Sequence, residues 1–287
     1  MWFAYSLAAA VLQAGQFAVV KGRARHVPPL VVIVWVQVFG VTAWTVYVLL
    51  GNARFAVPGG GWRWVLASVV LAAGMNYLLT RASASGDISI VGPVLALSPI
   101  FTILPDRVFS GALPAGLGWL GIALSVAGTI TLSRGRTRGI SPRALFRRED
   151  ALCAFGAAVL LGALAAVDRR AGLTLGVPSY LLATHGCTAL LLAPVVVART
   201  PRALAATLAP GPLGVMLGHA ALAVLGTAMQ IVAATLAPAA YVNSVRRTSA
   251  VFAVLMGRAL FDEPDVAGRL TGAALATAGV ACLLLAG

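Results

Sequence analysis

The chain has 287 residues, of which 60% are hydrophobic and only 10% are charged. Soluble domains carry about 25% charged residues, so this composition excludes an ordinary soluble protein and indicates one whose solvent is largely the lipid bilayer. The formal net charge of +13 comes from basic residues that cluster in short loops between apolar runs. We therefore expect no nucleic-acid partner and attribute the charge to the excess of basic residues in cytoplasmic loops of membrane proteins.

Ten apolar runs are long enough to cross a hydrocarbon core, which takes about 20 helical residues. We number these predicted spans 1 to 10 in chain order, at residues 2–20, 28–50, 62–80, 87–109, 114–133, 151–167, 177–198, 211–236, 239–261 and 266–286. The first run has no basic segment ahead of it, which predicts a first span rather than a cleaved signal peptide. The sequence thus predicts an all-α integral membrane protein with ten transmembrane helices.

The two halves of the chain resemble each other when the sequence is shifted by 151 residues. The coincident residues include a serine pair, an arginine pair and two glycine pairs: Ser98 with Ser249, Arg107 with Arg258, Gly121 with Gly272, and Gly128 with Gly279. Because each half has an odd number of spans, the second half must enter the membrane from the opposite side. The sequence predicts two inverted five-helix repeats at 1–133 and 151–287, joined by a basic loop at 134–150.

Two pairs of sequence blocks carry a resemblance to known proteins. They are "GDISIVGPVLALSPIFTIL" with "GLGWLGIALSVAG" in the first half, and "YVNSVRRTSAVFAVLMGRALFDEP" with "GRLTGAALATAG" in the second. These blocks resemble the two EamA-type repeats of the drug/metabolite transporter superfamily. The resemblance implies a central cavity lined by spans 1, 3, 4, 6, 8 and 9, with spans 5 and 10 outside it. The acidic turn "FDEP" of the second half reads "FSGALP" in the first, which departs from the family pattern.

Arg246 and Arg247 are the most informative residues in the spans. They lie about seven residues, roughly 10 Å, into span 9, where each charge costs about 2.5–3.5 kcal/mol unless water or a counterion compensates. The 151-residue shift places Leu95 and Ala96 there, so the fold itself requires no charge. One interpretation is an interfacial position or a structural pair with an acid such as Asp168. The other is a site for an anionic substrate, because guanidinium groups bind carboxylate and phosphate in two-point geometry.

The family resemblance adds to the second interpretation. Relatives that carry phosphate compounds or nucleotide sugars have a Lys-Arg pair at the matching place in helix 9. Further candidates for the cavity wall are the polar residues of the predicted cavity-lining spans: Gln13, Gln16, Asn76, Tyr77, Ser89, Ser98, Thr102 and Asn243. Each of these has an alternative role in a hydrogen bond between helices.

Three titratable residues are candidates for coupling transport to protons: Asp168, His185 and His219. Histidine titrates near neutral pH, but helix packing explains either histidine equally well. For Asp168 the favoured interpretation is a local partner of Arg169 and Arg170, because an acid beside a base is common at the end of a span.

Proline and glycine predict where the helices bend and pack. Gly92-Pro93 and Ser98-Pro99 predict a kink in span 4, whereas span 9 has no proline there, which predicts unequal gating movements of the two halves. Close packing of spans 5 and 10, within one chain or between two, is predicted by their glycines: Gly121, Gly128, Gly268, Gly272 and Gly279.

The sequence favours a transporter over an enzyme. It contains no GxSxG or HExxH motif, and the widely spaced Cys153, Cys187 and Cys282 predict neither a disulfide framework nor a metal site. We predict a secondary transporter that moves a small metabolite with a carboxylate or phosphate across the cytoplasmic (inner) membrane. It would work by alternating access, without a cofactor, as a monomer or homodimer. The alternatives are a multidrug or cation exporter of the same fold, which would need a buried acid, and an intramembrane enzyme.

Overall fold

The computed structural model describes residues 1–24, 26–85, 94–133, 149–261 and 270–286. All regular secondary structure in these ranges is helical. The α-helices are α1 Trp2–Val19, α2 Pro29–Leu49, α3 Trp62–Ser85, α4 Ser98–Ser110, α5 Leu117–Ser133, α6 Glu149–Leu175, α7 Val177–Arg199, α8 Pro201–Ala206, α9 Pro210–Leu236, α10 Ala239–Arg246, α11 Ser249–Phe261 and α12 Leu270–Ala286. The predicted all-α class is confirmed for this part of the chain. Several features named above lie outside the described residues: Ser89, Gly92-Pro93, Gly268 and most of the loop 134–150.

Six helical segments are long and apolar enough to cross a membrane. They are Trp2–Ala24, Pro29–Leu49, Gly59–Ala82, Glu149–Leu175, Val177–Arg199 and Pro210–Leu236. Five of the described α-helices, α2, α4, α7, α8 and α9, have a proline in their first two positions, where the missing N–H needs no partner. The chain is therefore a multi-pass membrane protein. The full number of ten spans stays a prediction, because the remaining helices are shorter.

The helices of the two halves pack in exchanged pairs. α1 packs against α9 and α11, and α6 packs against α3 and α4. The 151-residue shift relates the first two contacts to the second two, because it superposes α1 on α6, α3 on α9 and α4 on α11. α2 packs against α7, and α5 packs against α12. In each of these two pairs, the same shift superposes the first helix on the second. Two equivalent halves related by a two-fold axis would produce this exchange.

Glycines form the contact between α5 and α12. Gly121 lies against Gly279, and Gly128 lies against Gly272 and Ala276. The contacting residue numbers rise along one helix as they fall along the other, so the two helices run antiparallel. A Cβ atom on Gly121 would lie 2.9 Å from the carbonyl oxygen of Gly279, closer than real Cβ contacts allow. The described glycines of spans 5 and 10, Gly121, Gly128, Gly272 and Gly279, therefore pack within one chain.

Span 9 is not one continuous helix. α10 ends at Arg246, a turn occupies Arg247 and Thr248, and α11 begins at Ser249. The predicted span at 239–261 therefore consists of two helices. The N–H groups of the turn stay bonded, from Arg247 to Asn243 O and from Thr248 to Val245 O. In some transporters, discontinuous helices form the binding site.

The first half is broken at the equivalent place. α4 begins at Ser98 after a turn at Ala96 and Leu97, the residues that the 151-residue shift superposes on the turn in span 9. The hydrogen bond from Leu97 N to Val94 O, at 3.1 Å, corresponds to the bond from Thr248 N to Val245 O, at 3.0 Å. Both halves are therefore broken at equivalent positions, although only the first has a proline there. The kink predicted at Ser98-Pro99 has an equivalent turn in span 9, which forms there without a proline.

Candidate functional site

The arginine pair lies at the break between α10 and α11. Arg246 is the last residue of α10, and the backbone N–H of Arg247 closes that helix with bonds to Asn243 O, at 3.2 Å, and Ser244 O, at 3.1 Å. Both arginine side chains keep part of their surface accessible, whereas the preceding Val245 is fully buried. Both arginines are thus partly exposed next to the helix break.

Arg246 is held from two other helices. Its Nε donates a hydrogen bond to Gln13 Oε1 of α1 at 3.0 Å. Asp168 of α6 lies near enough to interact with Arg246 electrostatically, but no hydrogen bond joins the two side chains among the described contacts. Of the sequence candidates, Gln13, Asp168 and Arg246 are therefore brought together.

Arg247 lacks such support. Its Nε atom is buried, and no described residue accepts a hydrogen bond from it. Its nearest charged interaction is with Arg246, which carries the same charge. A buried N–H without a partner costs about 1–3 kcal/mol, and more when it belongs to a charged group. An anion bound here would remove both penalties.

Asp168 lies inside a helix and not at the end of one. α6 continues to Leu175, so the predicted end of span 6 at residue 167 was wrong. The Asp168 Oδ1 atom accepts a hydrogen bond from Tyr180 Oη of α7 at 2.5 Å and another from Ser68 Oγ of α3 at 3.3 Å. The favoured interpretation of Asp168 as a local partner of Arg169 and Arg170 does not match these contacts.

Arg169 instead forms a buried ion pair with Asp106 of α4. The distance from Arg169 Nη1 to Asp106 Oδ1 is 3.0 Å, and Arg169 Nε donates to Ala234 O at 2.8 Å. The second carboxylate oxygen of Asp106 accepts from Ala239 N, the first residue of α10, at 2.8 Å. A carboxylate at this position satisfies a free N–H and complements the helix dipole. Asp106 therefore fixes the start of the helix that ends at the arginine pair.

Sequence reasoning missed this ion pair, although one signal was present. Asp106 is an acid inside predicted span 4, and an ionisable residue within a span needs a partner. Its partner could not be found in the same way, because Arg169 was assigned to a loop.

Asn243, Ser98 and Thr102 form a buried cluster that joins α10 to α4. Asn243 Nδ2 donates to Thr102 Oγ1 at 3.0 Å and reaches Ser98 Oγ at 3.5 Å. All three residues are at least 98% buried. In this conformation they hold α10 against α4 and have no surface to offer a substrate.

Replacing Thr102 by valine should test this connection. The substitution keeps the shape of the side chain and removes the hydroxyl that accepts from Asn243, so we expect the free energy of unfolding in detergent to fall by about 0.6–1.7 kcal/mol. Thr277→Val is the matched control, because the Thr277 hydroxyl is exposed and bonds only Ala273 O of its own helix. Equal effects of the two substitutions would contradict the role assigned to Thr102.

The remaining amide and histidine candidates form contacts between neighbouring helices. Gln16 Nε2 donates to Leu222 O at 3.3 Å, and His219 bonds the backbone of Gln16. His185 Nδ1 lies 2.7 Å from Gln37 Oε1. These bonds join α1 to α9 and α2 to α7. In each histidine the other ring nitrogen is buried without a described partner.

Asn76 and Tyr77 lie on an exposed part of α3. Asn76 donates to Ala72 O of its own helix at 2.8 Å, and Tyr77 Oη accepts from Arg81 one turn away at 3.5 Å. Neither contact connects them to the arginine pair. Within the described ranges, no three His, Cys, Asp or Glu side chains come together as a metal site requires.

Comparison with known protein families finds a match for the first half of the chain. The model of the EamA-like transporter family matches residues 1–134, which contain predicted spans 1 to 5. These residues belong to the EamA family. EamA proteins are part of the drug/metabolite transporter superfamily, so the resemblance found in the sequence is confirmed, and EamA membership indicates a membrane transporter. A second EamA repeat at 151–287 stays a prediction.

A solved structure described only as "Crystal structure of protein" has a similar fold. It superposes with a TM-score of 0.78 at 16% sequence identity, covering 99% of this chain and 97% of that one. At this identity the likeness shows a shared fold over nearly the whole chain and carries nothing about substrate. No curated protein matches the chain in sequence.

Proposed function

We propose that this EamA-family chain is a secondary transporter for a small metabolite with a carboxylate or phosphate group, and that Arg246 and Arg247 bind that group. The observation that carries the proposal is the buried Nε of Arg247, which has no described partner at a helix break in a transporter fold. The substrate would cross the cytoplasmic membrane by alternating access.

The local charge favours an anion. Arg246 and Arg247 follow each other at the break and are close enough for their charges to interact, and Asp168 is the acid that interacts with Arg246. The site therefore keeps a surplus of positive charge, which is costly away from bulk water unless an anion binds. A carboxylate or phosphate can accept two parallel N–H bonds from one guanidinium group.

The helix break adds to the positive potential. α11 begins at Ser249, immediately after the arginine pair, and a helix start carries the positive end of the helix dipole. In transporters with discontinuous helices, such helix starts point at anionic groups of the substrate. Gln13 belongs to the proposed site because it orients Arg246.

The exchanged packing supports alternating access between two inverted halves. The pairs α1 with α9 and α6 with α3 are equivalent under the 151-residue shift, and each joins one half to the other. The turns at Ala96–Leu97 and Arg247–Thr248 are equivalent as well. Two similar halves with equivalent breaks can exchange conformations, which would open the site first to one side and then to the other.

A cation exporter is the second candidate, and one observation favours it. Asp168 is an acid within the bundle, as a cation site would require. However, Arg246 faces this acid, so a cation would have to displace or avoid a fixed guanidinium group. The anionic substrate therefore fits the site better.

Replacing Arg247 by glutamine should weaken anion binding. A hydrogen bond to a charged group contributes about 1.5–3 kcal/mol, so we expect affinity for anions to fall about 10–100-fold. The measurement is a thermal-shift screen of purified protein against phosphorylated and carboxylated metabolites, in which a ligand of the folded state raises the melting temperature.

Arg107→Gln is the matched control for this experiment. Arg107 lies exposed on α4 and bonds only Gly111 O of its own chain segment, at 3.1 Å. Anion binding should survive this substitution. The proposal would be wrong if both variants bound the same metabolites as tightly as the original protein.

A further inference from the structure

We infer that Asp168 is a proton-binding site linked to the anion site, so that the transporter carries a proton together with each anion. This inference rests on the proposed anion site at Arg246 and Arg247. It assigns the coupling ion, which the function proposed above leaves open.

The two oxygens of the Asp168 carboxylate have different surroundings. Oδ1 accepts both hydroxyl bonds, from Tyr180 at 2.5 Å and from Ser68 at 3.3 Å. Oδ2 has no hydrogen-bond partner among the described residues, and it is not among their buried unpaired atoms. Oδ1 is therefore held by two hydroxyl groups, while Oδ2 accepts no bond from a described residue and belongs to a residue that is only partly buried.

This division allows the carboxyl group to change protonation without rearranging its neighbours. A proton from water forms an O–H bond at Oδ2 and returns to water when that bond breaks. Oδ1 continues to accept both hydroxyl bonds in either state, because a carbonyl oxygen and a carboxylate oxygen are both acceptors. The rotamer of Asp168 can thus stay the same throughout a proton-binding cycle.

Arg246 connects the proton to the anion. When Asp168 is ionised, its negative charge competes with a bound anion for the same guanidinium group. When Oδ2 is protonated, this competition ends and the anion is no longer repelled by the carboxylate. Each ligand therefore favours binding of the other, and this linkage must be reciprocal.

Several charged groups on α6 and on the elements packed against it have partners other than Asp168. Tyr180 from α7 and Arg246 from α10 are the titratable and charged groups that face Asp168. Asp106 of α4 pairs with Arg169, and Arg81 of α3 pairs with Glu149 at the other end of α6. On α9, His219 bonds the Gln16 backbone of α1. The linkage can therefore be tested at Asp168 alone.

The experiment measures sulfate binding to the purified full chain at two pH values and constant ionic strength. Sulfate is a suitable probe because its charge does not change over this pH range. We expect binding to be about tenfold tighter or more at about pH 5.5 than at about pH 8, as for charges a few ångström apart at an effective dielectric constant near 20. Asp168→Asn, which is neutral at every pH, should bind equally at both and as tightly as the original protein in acid.

Proteoliposomes provide a second readout. With the original protein, an inward sulfate gradient should acidify the lumen, and with Asp168→Asn it should not. Glu149→Gln is the matched control, because Glu149 is an exposed acid on the same helix. It should keep both the pH dependence and the proton movement.

The outcomes separate the inference from the proposed function. If the original protein binds sulfate through Arg247 but equally at both pH values, or if Asp168→Asn keeps the pH dependence, the inference is wrong and the anion site stands. If neither protein binds sulfate at either pH, both are wrong. If Asp168→Asn does not fold, Tyr180→Phe keeps the carboxylate and removes one bond to Oδ1. An unchanged pH midpoint in that variant would also overturn the inference.

Discussion

Asp106→Asn is expected to lower the free energy of unfolding by about 3–5 kcal/mol, because removing one partner of a buried ion pair leaves the other charge without compensation. Asp106 is 1% exposed, and the side chain of its partner Arg169 is 13% exposed. The substitution also removes the negative charge that accepts the first N–H of α10. Chemical unfolding in detergent micelles measures the loss.

The chain contains a matched surface ion pair. Arg81 and Glu149 also join α6 to a neighbouring helix, at 2.7 Å, but their side chains are 55% and 59% exposed. Exposed pairs contribute about 0–1 kcal/mol, so Glu149→Gln should change the stability little. If Asp106→Asn and Glu149→Gln had the same small effect, the ion pair at Asp106 would not hold the bundle together.

The same substitution should reach the arginine pair through α10. This helix is fixed by Asp106 at its start, by Thr102 through Asn243, and by Gln13 through Arg246. Releasing its first turn loosens one of these attachments. We expect Asp106→Asn to weaken anion binding even where the protein still folds, although Asp106 touches no part of the proposed site.

The helices could be predicted from the sequence because a membrane-crossing helix is a local property. Span length and apolar composition depend on about 20 consecutive residues, and every described predicted span contains a helix. The predicted end of span 6 was wrong because it depends on residues outside that span. Asp168 and Arg169 looked like residues of a loop, and only distant residues, Tyr180 and Asp106, make these charges acceptable inside α6.

The broken span 9 shows what the internal repeat could have added. No proline or glycine marks the turn at Arg247 and Thr248, so the local sequence gives no reason for it. In the first half, Pro99 lies in the first turn of α4, which predicts a helix start there. Transferring that start by 151 residues would have placed the beginning of α11 correctly.

The candidate site was predicted in part. The arginine pair stood out because it departs from the symmetry between the halves, and Gln13 contacts Arg246. The sequence could not separate Gln13 from Gln16, since both are amides on α1, and only the packing of α9 directs Gln16 to Leu222. Side-chain direction in a bundle depends on neighbours that are distant in sequence.

Gly128→Ala is expected to destabilise the protein by about 1–3 kcal/mol, although alanine is the better helix former by about 1 kcal/mol. A Cβ atom at this position would lie 2.7 Å from both the Ala276 Cα and the Gly272 carbonyl oxygen. Both are backbone atoms, so no side-chain rotation can make room and α5 must move away from α12. Unfolding in detergent measures the change.

Gly186→Ala is the control with the same chemical change. Gly186 lies within α7, and a Cβ atom there would have no neighbour within 4 Å. We expect this substitution to stabilise the protein by about 0.5–1 kcal/mol through helix propensity alone. Effects of the same sign in both variants would show that α5 and α12 are not in close contact.

The internal repeat adds a second glycine substitution to this prediction. The 151-residue shift superposes Gly128 on Gly279, and a Cβ atom on Gly279 would lie 2.8 Å from the carbonyl oxygen of Gly121. If the two helices are equivalent parts of inverted halves, Gly279→Ala should destabilise the protein about as much as Gly128→Ala. A large effect at one glycine and none at the other would mean that the contact is not symmetric, and the two-fold relation would lose its most direct support.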